Sequence, residues 1–92
     1  MELEDLTSEI RRELGFEDES VNGVVVVGLA YDGPADRAGL MRGDVILEVD
    51  RTPVASQQEF YKIVKKKKGY LLRVRRPDAS GGAYLVIVLD VS

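Results

Sequence analysis

Apolar residues along this chain change their spacing from segment to segment, and each change predicts an element. Leu6, Ile10 and Leu14 recur every fourth residue, so residues 7–14 are expected to form a short helix, with Thr7 as its cap and Glu9 in its first turn. Gly15 then stops it. After the Asn22-Gly23 turn signal, residues 24–30 open with four β-branched valines and continue without a polar residue, too continuous for an exposed strand and too short for a buried helix. A central strand is the expectation. Asp32-Gly33-Pro34 breaks it, and Pro34 sets φ for one helical turn over 34–38 that Gly39 closes. Arg42-Gly43-Asp44 turns into a strand over 45–50, with Val45, Leu47 and Val49 expected on one face. Asp50-Arg51 makes the next turn, and Pro53 suits a very short edge strand at 52–54. Ser56 caps a helix over 57–66 with a core stripe of Phe60, Ile63 and Val64, and Gly69 is its expected end. Strands over 70–76 and 83–91 follow, flanking a hairpin-type loop at 77–82; Leu72 and Val74 share one face of the first, Arg73 and Arg75 the other.

One long and two short helices on a small, mostly antiparallel sheet predict an α+β sandwich or partly open barrel. Ninety-two residues hold a single core, so residues 1–92 read as one domain. No run approaches the roughly 18 apolar residues of a membrane span, and residues 1–15 carry acids where a signal peptide is basic and then apolar. Neither membrane insertion nor an export leader is expected. The absence of Cys and His excludes disulfides, thiol chemistry, imidazole bases and the usual zinc sites. No metal or cofactor is therefore expected.

Charge adds one asymmetry to a net of −3: residues 1–20 hold eight acids and two bases, whereas residues 62–76 hold eight bases and no acid. An acidic chain is a poor nonspecific nucleic-acid binder, so the basic stretch reads as solvated surface; a nucleic-acid binder acting through Lys62 to Arg76 is the remote reading. Catalysis finds no footing. Without His, a nucleophilic Ser would need a Lys as base, and Ser8 and Ser56 sit where caps belong while Ser20, Ser80 and Ser92 fall in loops or at the terminus. Glu17-Asp18-Glu19 are adjacent acids that point apart, without the spaced ligands of a calcium loop. The glycine-rich segments contain neither a dinucleotide fingerprint nor a phosphate loop. No catalytic residue is assigned.

Gly33-Pro34-Ala35-Asp36-Arg37-Ala38-Gly39-Leu40 followed by Gly43-Asp44-Val45-Ile46 resembles the signature of a PDZ domain. The closest likeness is to the PDZ domains of trypsin-like stress proteases of the bacterial periplasm, the high-temperature-requirement or Do family. The resemblance continues through Thr52-Pro53-Val54, the helix with Glu59-Phe60 and the closing strands. It implies a non-catalytic module that recognises the C-termini or extended apolar segments of protein substrates by strand addition. It further implies a parent serine protease of the periplasm or cell envelope, in which the domain, cut from a longer chain, presents or senses unfolded termini. The alternative is an assembly role, contacting other domains of the parent chain.

Carried over residue by residue, the resemblance puts Gln57, Tyr61 and Val64 on the groove wall, with Phe60 and Ile63 turned to the core. It offers two places for the loop that holds the ligand carboxylate. Leu14-Gly15-Phe16 resembles the apolar-glycine-aromatic signature of that loop. The other arrangement makes Met1, Glu2 and Leu3, with Glu4 and Asp5, the groove strand, because in these proteases a strand and a Leu-Thr-x-Glu-type helix precede the buried valine run. The chain would then begin at or inside the carboxylate loop.

Overall fold

Residues 1–15, 22–65, 68–77 and 82–90 are described by the computed structural model. Phe16, the acidic run at 17–19, Ser20, the two lysines at 66 and 67, the tip of the 77–82 loop, Val91 and Ser92 lie outside the described residues. In chain order the elements are β1 (Glu2–Asp5), α1 (Ser8–Glu13), β2 (Val24–Gly28), α2 (Pro34–Ala38), β3 (Val45–Val49), β4 (Thr52–Pro53), α3 (Gln57–Ile63), β5 (Gly69–Arg76) and β6 (Ala83–Asp90). The strands form one antiparallel sheet in the order β1-β2-β3-β5-β6, with β4 on β3. It does not close, so β1 and β6 are its ends.

The valine run explains the layering. Val24 and Val26 are completely buried in the main core with Phe60, Leu72 and Val74, while Val25 points through the sheet to a second cluster with Val45. Leu6, Ile10 and Leu14 cover that second cluster, which is what the every-fourth spacing of α1 achieves. The sheet is therefore buried on both faces along β2, and this is why its sequence does not alternate. Caps hold the two outer helices: the Thr7 hydroxyl accepts from the Ile10 N–H at 3.2 Å and the Ser56 hydroxyl from the Glu59 N–H at 3.2 Å. Each contributes about 1 kcal/mol.

Two expectations are corrected. Val45, Leu47 and Val49 do not share a face: Val45 and Leu47 pack on the α1 side, whereas Ile46 and Val49 enter the main core. The cause is an irregularity in the β3–β5 ladder between Ile46 and Glu48, which resets the alternation within a five-residue strand. The last helix ends at Ile63, with the Val64 N–H donating to the Phe60 carbonyl at 3.0 Å, and Gly69 opens β5 opposite Asp90 instead of stopping α3. Lysines after Val64 supply no apolar position to hold a further turn against the core.

The basic stretch is not one surface either. Arg76 grips the carboxylate of Asp44, which is 1% exposed, through Nε at 2.9 Å and Nη2 at 2.8 Å, and Nη2 also donates to the Gly39 carbonyl at 2.8 Å. The Met41 N–H donates to the same carboxylate at 2.9 Å. Hydrogen bonding to Asp44 holds the Arg76 guanidinium's pKa above its ordinary value despite desolvation. Arg73 lies 3.8 Å from Glu48, and the guanidinium carbons of Arg73 and Arg75 stand 5.7 and 5.5 Å from the centre of the Tyr84 ring.

Candidate binding groove between β1 and α3

β1 pairs with β2 along one side only; among the described residues no strand lies on its other side. That free edge is flanked by α3. Leu3, 6% exposed, faces into the main core opposite Val26, and Met1 packs against the same core. On α3, Phe60 is sunk into the core at 1% exposure, which turns Gln57 and Tyr61 outward. Burying Phe60 stabilises the docked helix by roughly 2–3 kcal/mol and fixes which face is left for contact.

Two hydrogen bonds set the spacing of strand and helix. At the far end the Asp5 carboxylate accepts from the Gln57 N–H at 2.8 Å, satisfying a donor that the first turn of a helix leaves unpaired. At the near end the Tyr61 hydroxyl donates to the Met1 carbonyl at 3.2 Å. The helix thus runs antiparallel to β1, Gln57 beside its end and Tyr61 beside its start. Tyr61 is held there edge-on against Phe60, ring centres 5.7 Å apart at 76°. Beyond Met1 the surface dips into a small, mostly apolar pocket walled by Ala30, Pro34, Ala35 and Leu89.

The sequence-expected residues divide accordingly. Met1 and Leu3 sit on the side of β1 that meets α3, with Gln57 and Tyr61 across from them; Val64, half-buried, ends the same helix against the main core. Glu2 belongs to the strand but points from its other face. Leu14 and Gly15 lie elsewhere: Leu14 packs on the Val25 and Val45 cluster across the sheet from α3, and Gly15, with φ of +78°, is the exit of α1. Phe16, the third member of that alternative, is outside the described residues. That Asp5 of the expected groove strand caps α3 has no sequence signal, because its partner is 52 residues away and no local spacing marks it.

Among the described residues no group of three or more His, Cys, Asp or Glu side chains is placed to hold a metal, and no helix is long and apolar enough to cross a membrane.

The sequence profile of the PDZ domain family matches residues 2–76. A probable periplasmic serine endoprotease, DegP-like, of Chlamydia trachomatis is 36% identical over 78 residues, covering 83% of this chain and 16% of that protein. The mitochondrial serine protease HTRA2 of Bos taurus is 37% identical over 65 residues, 71% of this chain and 14% of the relative. This chain therefore spans about a sixth of the length of such relatives. Among solved structures, the HtrA3 PDZ domain bound to a phage-derived ligand, FGRWV, superposes with a TM-score of 0.81 at 24% identity, covering 98% of this chain and 79% of that one. The HtrA-type protease AlgW with a decapeptide superposes at 0.80 with 29% identity, covering 97% of this chain and 26% of that one.

Proposed function

This chain belongs to the PDZ domain family, and on that footing we propose that it binds extended peptides, above all free protein C-termini, by adding them as an antiparallel strand to the open edge of β1 beside α3. The observation that carries the reading is the β1 edge, unpaired among the described residues, with α3 running antiparallel beside it and offering Gln57 and Tyr61 to whatever lies between them. Strand addition supplies main-chain hydrogen bonds, and alternate ligand side chains meet the helix. An antiparallel ligand brings its C-terminus to the Met1 end, next to the apolar pocket and far from Leu14 and Gly15. The module has no catalysis of its own. In a parent serine protease of the bacterial envelope it would present or sense unfolded substrate termini.

A second reading, contact with other domains of the parent chain, is favoured by the outer face of β5 and β6. There Leu71, Tyr84, Val86 and Val88 are exposed, Val86 at 68%.

Fluorescence polarisation with labelled hexapeptides ending in a free, apolar residue tests the groove. Saturable binding in the micromolar-to-millimolar range is expected, roughly −8 to −4 kcal/mol, as for one added strand and one or two pockets. The absence of saturation at millimolar protein contradicts it.

A further inference from the structure

We infer that the peptide taken up at this groove carries basic side chains at alternate positions, read by Glu2 and Glu4 from the face of β1 that is turned away from α3. The inference rests on the groove reading above and deepens it from substrate class to charge pattern.

The backbone of β1 separates the two faces. Leu3 points into the main core and Asp5 reaches the Gln57 N–H, so both lie on the α3 side; Glu2 and Glu4, which alternate with them, project from the opposite side and are exposed, Glu2 with its carboxylate over Gly28 of β2. The pairing with β2 says the same. Leu3 stands opposite Val26 of the main core, whereas Glu4 stands opposite Val25, whose side chain belongs to the α1 cluster. The irregularity in this ladder skips Val27 on β2, since Glu2 pairs with Gly28 and Leu3 with Val26, and it leaves the alternation of β1 intact. Neither Glu2 nor Glu4 has an ion-pair partner among the described residues. The cation that lines the same depression as Glu4, Arg42, precedes Gly43, whose N–H bonds Val26, and so stands across β2 from the free edge; Glu13 of α1 adds a further acid there.

Directly opposed residues on neighbouring antiparallel strands share a face. A strand added to the free edge of β1 therefore has every second side chain beside Leu3, Gln57 and Tyr61, which are uncharged, and, at the far end of the strand, beside Asp5, whose carboxylate is engaged by the Gln57 N–H. Its intervening side chains lie beside Glu2 and Glu4. Opposite charges across a strand pair attract and like charges repel, so lysine or arginine is favoured at the intervening positions and glutamate or aspartate is rejected. If the residue two before the ligand's C-terminus meets α3, the basic positions are the second and fourth from the end. Both groups of ligand positions are then specified: uncharged toward the helix, basic toward the acids.

The test uses four labelled peptides with free C-termini on the 92-residue chain: Tyr-Ala-Gln-Ala-Gln-Val as reference, Tyr-Ala-Lys-Ala-Lys-Val, Tyr-Ala-Glu-Ala-Glu-Val, and the shifted Tyr-Lys-Gln-Lys-Gln-Val, which has the same charge on the other face. The in-phase lysine peptide is expected to bind about 2- to 30-fold tighter than the reference, as two cross-strand pairs provide. The glutamate peptide should bind more weakly than the reference. The advantage should shrink at high salt and disappear in the Glu2→Gln/Glu4→Gln variant, to which the lysine, glutamine and glutamate peptides should bind alike. Equal gain from the shifted peptide, or a gain that survives in the variant, overturns the inference while the groove stands. If no peptide saturates, the groove reading falls and the charge pattern with it.

Discussion

Asp44→Ala removes the acceptor that ties the α2–β3 turn to the end of β5, and its cost can be worked from the contacts. The carboxylate is 1% exposed and accepts three hydrogen bonds, two from Arg76 at 2.9 and 2.8 Å and one from the Met41 N–H at 2.9 Å. Breaking a fully buried pair from one side costs about 3–5 kcal/mol because the remaining charge is stranded. Here the Arg76 side chain keeps 30% of its surface in water and retains the Gly39 carbonyl, so the cost falls below that scale, to about 2–3 kcal/mol. For a domain of this size each 1 kcal/mol moves the unfolding midpoint by about 4–8 °C, so Tm should fall by roughly 10–20 °C. Asp44→Asn, which preserves shape and one acceptor, should fall between the variant and the native chain. Circular dichroism during heating and urea titration measures both. In a double-mutant cycle, Arg76→Ala should add little to Asp44→Ala. A loss below about 0.5 kcal/mol, the size expected of an ordinary surface change, would refute the view that this pair locks the turn.

Gln57→Ala should change peptide affinity by less than about 1 kcal/mol, since an exposed neutral amide at a wet site is replaceable; calorimetry with a Val-terminated peptide checks it, and a larger loss means Gln57 makes an unreplaced ligand contact. Tyr61→Ala should weaken small ligands while admitting bulkier ones, and a C-terminal peptide library whose profile does not move would show that the helix face has been misassigned. Asp5→Ala should cost about 1 kcal/mol by unpairing the first N–H of α3, read from urea unfolding; an unchanged midpoint would show that water replaces the carboxylate.

Local signals were legible wherever the chain's neighbours decide the conformation. Thr7 and Ser56 cap, Pro34 starts α2, and Gly39, with φ of +99°, ends it, because each acts within one turn of its own position. The buried valine run was legible through its lack of alternation. What escaped were features set by distant partners. The break in β3 depends on how it meets β5, Arg76 looked like one base among eight until Asp44 was placed beneath it, and Asp5 looked like an ordinary acid until α3 came to rest against it. Gly69 misled because a glycine that opens a strand is indistinguishable in sequence from one that stops a helix. The groove itself was only a resemblance at the sequence level, since a strand at residues 2–5 and a helix at 57–63 become neighbours through the sheet order alone.

The most direct measurement is an amide-resolved NMR titration of the chain with a Val-terminated hexapeptide bearing a free carboxylate. Saturable shifts concentrated at residues 1–5 and 57–64 are expected, with the β5–β6 outer face unmoved. Shifts that leave both segments still, or that centre on Leu14, Gly15 and the end of α1, would contradict the groove.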